Sequence, residues 1–434
     1  MRRFTFPLAL ALSCSACHPH PPETSPITST PPAKERITLN GVVMALPSSD
    51  EIRGLARSDN AFGLDLFAKI RAQKGNLSLS PLSLATALTM TWAGARGETA
   101  EQMKKVLHQS GTIEQALSLN GELLASYQLP EIKVTLDVAN RLFVEKTYVF
   151  EPSYLARTKT TFGASLEPVD FRQDFDASRQ HINTWIASAT HERIKNLLPP
   201  KGVDNHTRLV LANAIYFFSR WSGPFLEQST AAAPFHLTAS ESHDVPTMHQ
   251  TGYFRVAATD GVKVLEMFYE GRALAMTLVL PDQVEGLDAV EARLSLATLD
   301  AWFGALTHDR VEVALPRFEI DPTASLALRD TLEALGMTLS FDPKKADFTG
   351  IANPPLLLDR LYMDGLFHKT FIRIDEKGTE ATAATVAVMR SHKRGDPPPP
   401  KVEFHADHPF LFFLRDVRSG MILFMGRVSD PTGR

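Results

Sequence analysis

The chain has 434 residues, 44% of them hydrophobic and 22% charged, and its 45 Lys and Arg against 49 Asp and Glu leave a net charge of −4. That balance gives no support to a nucleic-acid binder, which carries a basic face, and the length is enough to bury a sizeable core. Cys14 and Cys17 are the only cysteines, so disulfide frameworks, cysteine-ligated zinc, iron–sulfur clusters and a cysteine nucleophile are excluded from everything beyond them.

Residues 1–17 have the layout of an export signal. Arg2 and Arg3 are the positive end, Phe4 to Leu12 is a short apolar stretch, and Ser15-Ala16 places small residues before Cys17. The apolar stretch is too short to span a bilayer, and no later segment reaches about 18 apolar residues. Ser15-Ala16-Cys17 resembles a bacterial lipoprotein cleavage site, with Cys14 in a second register and a plain secretory signal as the alternative. Lipid on Cys17 would anchor the chain to a membrane. His18 to Pro32 holds six prolines among Ser, Thr and His, the composition of an extended spacer. The expected organisation is a signal over 1–17, a tether over 18–50 and one folded domain over 51–434. The expected location is outside the cytoplasm, either membrane-anchored or extracellular or periplasmic.

In the body, Phe62, Leu66, Phe67 and Ile70 recur at helical spacing, as do Ile182, Trp185, Ile186 and Ala189. Thr99 and Gln102 stand in capping-box register and predict a helix start before Met103. Strand-like runs follow at Leu209 to Phe218, Ala273 to Leu280, Val311 to Ile320 and Phe410 to Phe413. No internal period and no linker breaks the chain from residue 50 to Pro397, which predicts a single α+β domain.

Motifs for chemistry are missing. There is no G-x-S-x-G elbow, no phosphate-cradling glycine loop and no H-E-x-x-H. His191-Glu192 lacks a second histidine, and His243 and His249 suit no ligand pattern. An enzyme, a cofactor and a metal therefore have no support.

One segment is unusual. In Glu376-Lys377-Gly378-Thr379-Glu380-Ala381-Thr382-Ala383-Ala384-Thr385-Val386, strand parity puts Thr379, Ala381, Ala383 and Thr385 on one face. That face is small and uncharged, and could enter a sheet without overpacking or burying a charge. Arg390-Ser391-His392-Lys393-Arg394 and Pro397 to Pro400 follow and predict an exposed loop. An alanine-rich helix is the alternative for the first part.

Taken in order, residues from about 55 to 431 resemble a serpin. The resemblance rests on Asn76 to Ser83, on Ile182-Asn183 with Trp185 and Thr190, and on Leu211 to Phe217 with Trp221 and Phe225. Leu315-Pro316-Arg317-Phe318, Phe348-Thr349-Gly350, His368-Lys369, Ala406 to Phe412 and Leu423 to Arg427 complete it. It implies an α+β domain with a large mixed sheet, about nine surrounding helices and a reactive loop over about 376–403. It also implies a suicide inhibitor, acting as a monomer on a protease held in a covalent complex.

The loop hinge would be Glu376, Gly378, Thr379, Glu380, Ala381, Thr382, Ala383, Ala384 and Thr385. Ser80, Ser83, Asn213 and His368 resemble the hydrogen-bonded cluster beneath the sheet, and Trp221 the packing residue at its top. Counting from Glu376 puts the scissile bond at His392, with Arg390, Lys393 and Arg394 as basic candidates for a trypsin-like target. A cysteine-protease inhibitor and a non-inhibitory binding or chaperone protein remain alternatives. Ser219 stands where the family has glycine, and His191-Glu192 replaces a small turn.

Overall fold

The computed structural model describes residues 49–356, 359–379 and 402–433, together with the backbone of two short strands, β1 (Thr38–Leu39) and β2 (Val42–Val43). Nine α-helices occur among the described residues. They are α1 (Asp50–Ile70), α2 (Pro81–Trp92), α3 (Gly97–Val106), α4 (Ile113–Ser126), α5 (Pro152–Phe162), α6 (Phe171–Ala189), α7 (Leu287–Ala292), α8 (Leu296–Gly304) and α9 (Arg329–Leu335).

A six-stranded mixed sheet runs in the order β12 (Phe318–Ile320), β15 (Ile372–Asp375), β16 (Gly378–Thr379), β6 (Leu209–Arg220), β4 (Thr135–Glu145), β5 (Ser165–Val169). All its pairs are antiparallel except β4 with β5. A nine-stranded sheet runs β17 (Val402–His405), β11 (Thr307–Pro316), β8 (Ser242–Thr259), β9 (Val262–Phe268), β10 (Leu274–Pro281), β18 (Phe410–Asp416), β19 (Ile422–Val428), β3 (Leu77–Leu79), with β7 (Ala231–His236) on β8. A last pair joins β13 (Leu326–Ala327) to β14 (Phe367–His368).

The period-2 alternation of β6 decides what covers each face of the six-stranded sheet. Ala212 and Ala214 meet Ile182 and Ile186 of α6, and their small size lets the helix lie close. Ile215 and Phe217 point the other way, into a core shared with Phe410 and Phe412 of β18. The helical spacing of Phe62, Leu66, Phe67 and Ile70 corresponds to α1, and all four are buried.

Two expectations are corrected. Thr99 is not an N-cap: α3 begins at Gly97, with Arg96 in the capping position and no side-chain cap bond. Its hydroxyl instead accepts the Asp347 N–H at 3.0 Å, and the Gln102 amide oxygen accepts the Leu339 N–H at 2.8 Å. Tertiary donors took the groups that a capping box would have used. The run Val311 to Ile320 is not one strand either. It breaks at Arg317, whose N–H donates to Pro246 O, so that β11 and β12 belong to different sheets.

Candidate functional site

The six-stranded sheet has an unusual seam. Among the described residues β15 and β6 share no ladder; β16 lies between them. Gly378 pairs with Arg220 and Thr379 with Ser219 on one side, while the same two residues pair with Asp375 and Ile374 on the other. β4 pairs with β6 from Leu209 to Phe218, but the opposite edge of β6 is paired only at Ser219 and Arg220 among the described residues.

The chain reaches this position through a close approach that needs glycine. Gly378 has φ +152°, and a Cβ there would lie 2.1 Å from the Ser219 carbonyl oxygen. Thr379 is buried, with its hydroxyl 2.5 Å from the Tyr269 hydroxyl. Tyr269 stacks on Trp221 with centroids 4.5 Å apart. Burial pushes the Tyr269 phenol well above its ordinary range, so it stays neutral and can serve the Thr379 hydroxyl. Trp221 donates from its indole N–H to Asp375 O at 2.9 Å and from its backbone N–H to Lys377 O at 2.8 Å.

Glu376 fixes the start of the segment. Its carbonyl accepts the Phe225 N–H at 2.9 Å, and its buried carboxylate accepts from Arg317 Nε at 2.7 Å and from the Thr230 hydroxyl. Burial alone would raise this carboxyl, but the bonds from Arg317 and Thr230 outweigh it and hold the group below the usual carboxylate range.

Lower in the sheet, the four residues expected to cluster do so. The His368 Nε2 accepts the Ser80 N–H at 3.0 Å. The Ser80 hydroxyl donates to Leu423 O and accepts the Ser83 N–H at 3.1 Å, capping α2 just ahead of Pro81. The Ser83 hydroxyl donates to the Asn213 amide oxygen. Asn213 then donates to Asn140 at 2.7 Å, and Asn140 to Phe162 O at 3.2 Å. The chain of bonds thus crosses from β14, under α2, through β6 and β4 to the end of α5. Burial drives the His368 imidazole down to about 3, so it is a neutral acceptor. A cavity of 160 Å³ opens beside this network, lined by Leu211 and Asn213 of β6, Phe367 and His368 of β14, and Leu198 and Met363.

The structure therefore brings Ser80, Ser83, Asn213 and His368 together, and separately Trp221, Glu376, Gly378 and Thr379. Glu380, Ala381, Thr382, Ala383, Ala384, Thr385, Arg390, His392, Lys393, Arg394, Cys14 and Cys17 lie outside the described residues. Sequence reasoning missed Arg317, Thr230, Tyr269 and Asn140. Of these, Asn140 had a signal in principle, as a polar residue opposite Asn213 in the register of two apolar strands. No group of three His, Cys, Asp or Glu capable of holding a metal occurs among the described residues. No helix among them is long and apolar enough to cross a membrane.

A sheet with a seam part-filled by the chain's own hinge is an apparatus for strand insertion. The Serpin (serine protease inhibitor) family matches residues 57–431, and the chain belongs to that family. It is 37% identical to the human (Homo sapiens) leukocyte elastase inhibitor over 387 residues, covering 87% of this chain and 99% of that one. It is 38% identical over 387 residues to the horse (Equus caballus) protein of the same name, with the same coverage of 87% and 99%. Among solved structures, Serpin48 of the insect Tenebrio molitor superposes with a TM-score of 0.77 at 32% identity, covering 88% of this chain and 100% of that one. The chain is thus a member of a family of protease inhibitors rather than an enzyme.

Proposed function

We propose that this chain is an exported, lipid-tethered inhibitor that traps trypsin-like serine endopeptidases as a monomer. The observation that carries the mechanism is the lodging of Gly378 and Thr379 between β15 and β6. A protease serine attacks a bond in the exposed loop and forms an acyl-enzyme. The freed hinge then continues from Thr379 down the seam. At roughly 3.3 Å per residue, a 16-residue insertion carries the attached protease about 50 Å, distorting its site before water completes hydrolysis. About ten new ladder bonds at roughly 1 kcal/mol each rival the stability of an ordinary domain. The uncut fold is on this argument a kinetic trap.

The choice of target rests on Arg390, Lys393 and Arg394 around His392. Trypsin-like enzymes take a basic side chain on the acyl side of the bond, whereas the small specificity pocket of an elastase does not suit one. The tether rests on Ser15-Ala16-Cys17, a bacterial-type lipoprotein cleavage pattern, and on the proline-rich stretch after it.

Incubation with trypsin tests the central reading. The expected result is an adduct that survives boiling in detergent and a peptide released by cleavage between Arg390 and Arg394. The cut protein should also melt well above the intact one. Complete turnover of the loop with no adduct and no rise in melting temperature would sink it. Mass spectrometry of the mature N-terminus tests the anchor; an unmodified residue beyond 17 removes it.

A further inference from the structure

The cavity beside the buried polar network has two ends of different chemistry. The inner end is apolar: Leu84 and Ala87 of α2, Ile186 of α6, Leu198 and Leu361 line it, and all are buried. At 160 Å³ it is about the size of apolar cavities that stay dry and accept a benzene ring. The polar groups in its walls are spent on their neighbours. The Ser83 hydroxyl bonds the Asn213 amide oxygen, and the His368 Nε2 takes the Ser80 N–H.

The outer end carries Arg208, Arg360 and His206 against Asp204 and Asp364. Both carboxylates are engaged by other groups. Asp204 Oδ1 accepts the His206 and Thr207 N–H groups at 2.8 and 3.1 Å, closing a turn, and Asp364 Oδ1 lies 3.5 Å from Arg329 Nη1. The arginines are not matched in the same way. Arg208 donates from Nη1 to the Asn205 and Thr207 carbonyls, both at 3.0 Å, and pairs with no carboxylate among the described residues. Arg360 makes no ion pair among them, and its buried Nε has no hydrogen-bond partner there. A buried donor left without an acceptor is costly, and an anion is the acceptor that relieves a guanidinium best.

We propose that this cavity binds a medium-chain carboxylate, with its tail among Leu84, Ala87, Ile186 and Leu198 and its head on Arg360 and Arg208. The planar guanidinium suits a carboxylate head better than a point charge would. Occupancy also bears on inhibition, a consequence that rests on the insertion reading. Leu211 and Asn213 line the cavity from the part of β6 whose outer edge is unpaired among the described residues. A strand entering along that edge meets the ligand, so the intact chain binds it and the cut, inserted chain does not.

Titration calorimetry of the full chain with octanoate tests the site. The expected Kd is about 1 mM or tighter. Butyrate, with a shorter tail to bury, should bind about tenfold more weakly. Octanoate should lose about tenfold in Arg360→Gln, which has no polar partner to break among the described residues and so should melt with the natural protein. No binding of octanoate, or equal affinity for butyrate or in Arg360→Gln, overturns the site; equal affinity for 1-octanol overturns the carboxylate class. Trypsin-cut protein is titrated alongside. A cut chain that melts above the intact one yet binds octanoate equally overturns the competition with insertion. A cut chain that melts no higher counts against insertion alone, and the titrations of the intact chain still decide the site.

Discussion

At Gly378 a left-handed backbone and a neighbouring carbonyl 2.1 Å from any Cβ act together. Gly378→Ala is expected to cost about 1–3 kcal/mol, the usual range for such strain. It should lower the melting temperature of the intact protein and speed amide exchange at Thr379, leaving α1 unaffected. His368 gives a pH prediction. Its folded pKa, about 3, is depressed below the ordinary value of 6.5, so the unfolded chain binds the proton first. The stabilisation is present above pH 6.5 and is lost as pH falls from there toward 3. Between pH 7.5 and pH 5 the histidine should account for about 2 kcal/mol of lost stability. Denaturant melts at both pH values should show a shallower fall in His368→Gln; an equal fall in both proteins contradicts the assignment.

Two elements carry their own tests. The turn after α6 puts His191 at φ 50° and Glu192 at φ 65°, where a smaller residue would be relaxed. His191 is offset by its ring, 4.3 Å from Tyr216, and by its bond to Asp137. Among the described residues the Glu192 side chain has a loose pair with Lys195 at 3.7 Å, and the Glu192 N–H that donates to Ala187 O would be kept by glycine, so Glu192→Gly should stabilise the fold by about 1 kcal/mol in equilibrium unfolding. The strands β4 and β6 are tied by Asn140 and Asn213. Removing either amide leaves the other short of a partner, costing about 1–3 kcal/mol. A double-mutant cycle of Asn140→Ala and Asn213→Ala should give a coupling of about 0.5–3 kcal/mol, and additive costs would show that the bond is idle. These elements also mark where sequence reading stops. The helical spacing around Phe62 was legible because burial follows local periodicity. Thr99 and Gln102 misled because side-chain oxygens bond whichever donor the fold brings near, here Asp347 and Leu339, more than 200 positions away. The break at Arg317 left a trace in the sequence, since the apolar positions change parity from Val311, Val313 and Leu315 to Phe318 and Ile320 across Pro316-Arg317, but only the buried Glu376 explains the arginine.

For the whole molecule, the hinge composition was legible as a face fit to enter a sheet, and the resemblance supplied the order of motifs. The partners that hold the hinge were not, since Thr230, Tyr269 and Arg317 come from distant strands and loops. The insertion argument makes a global prediction. Thr379 is already buried against Tyr269, so Thr379→Arg places a charge where none can be solvated. Ala381→Pro removes a ladder donor two residues further on. Both variants should be cleaved by trypsin at the natural rate and turned over as substrates, with the detergent-stable adduct reduced at least tenfold; adduct at the natural yield would refute insertion from this end. The two residues of β16 set the kinetics as well. A zip closes quickly once its slider has engaged the first teeth, because starting is the slow part and running is not. With Gly378 and Thr379 already meshed on both sides, closure is propagation from a ready nucleus. Its speed should then depend on how easily each next pair of residues seats, and little on how long the cut flank wanders before it finds the seam.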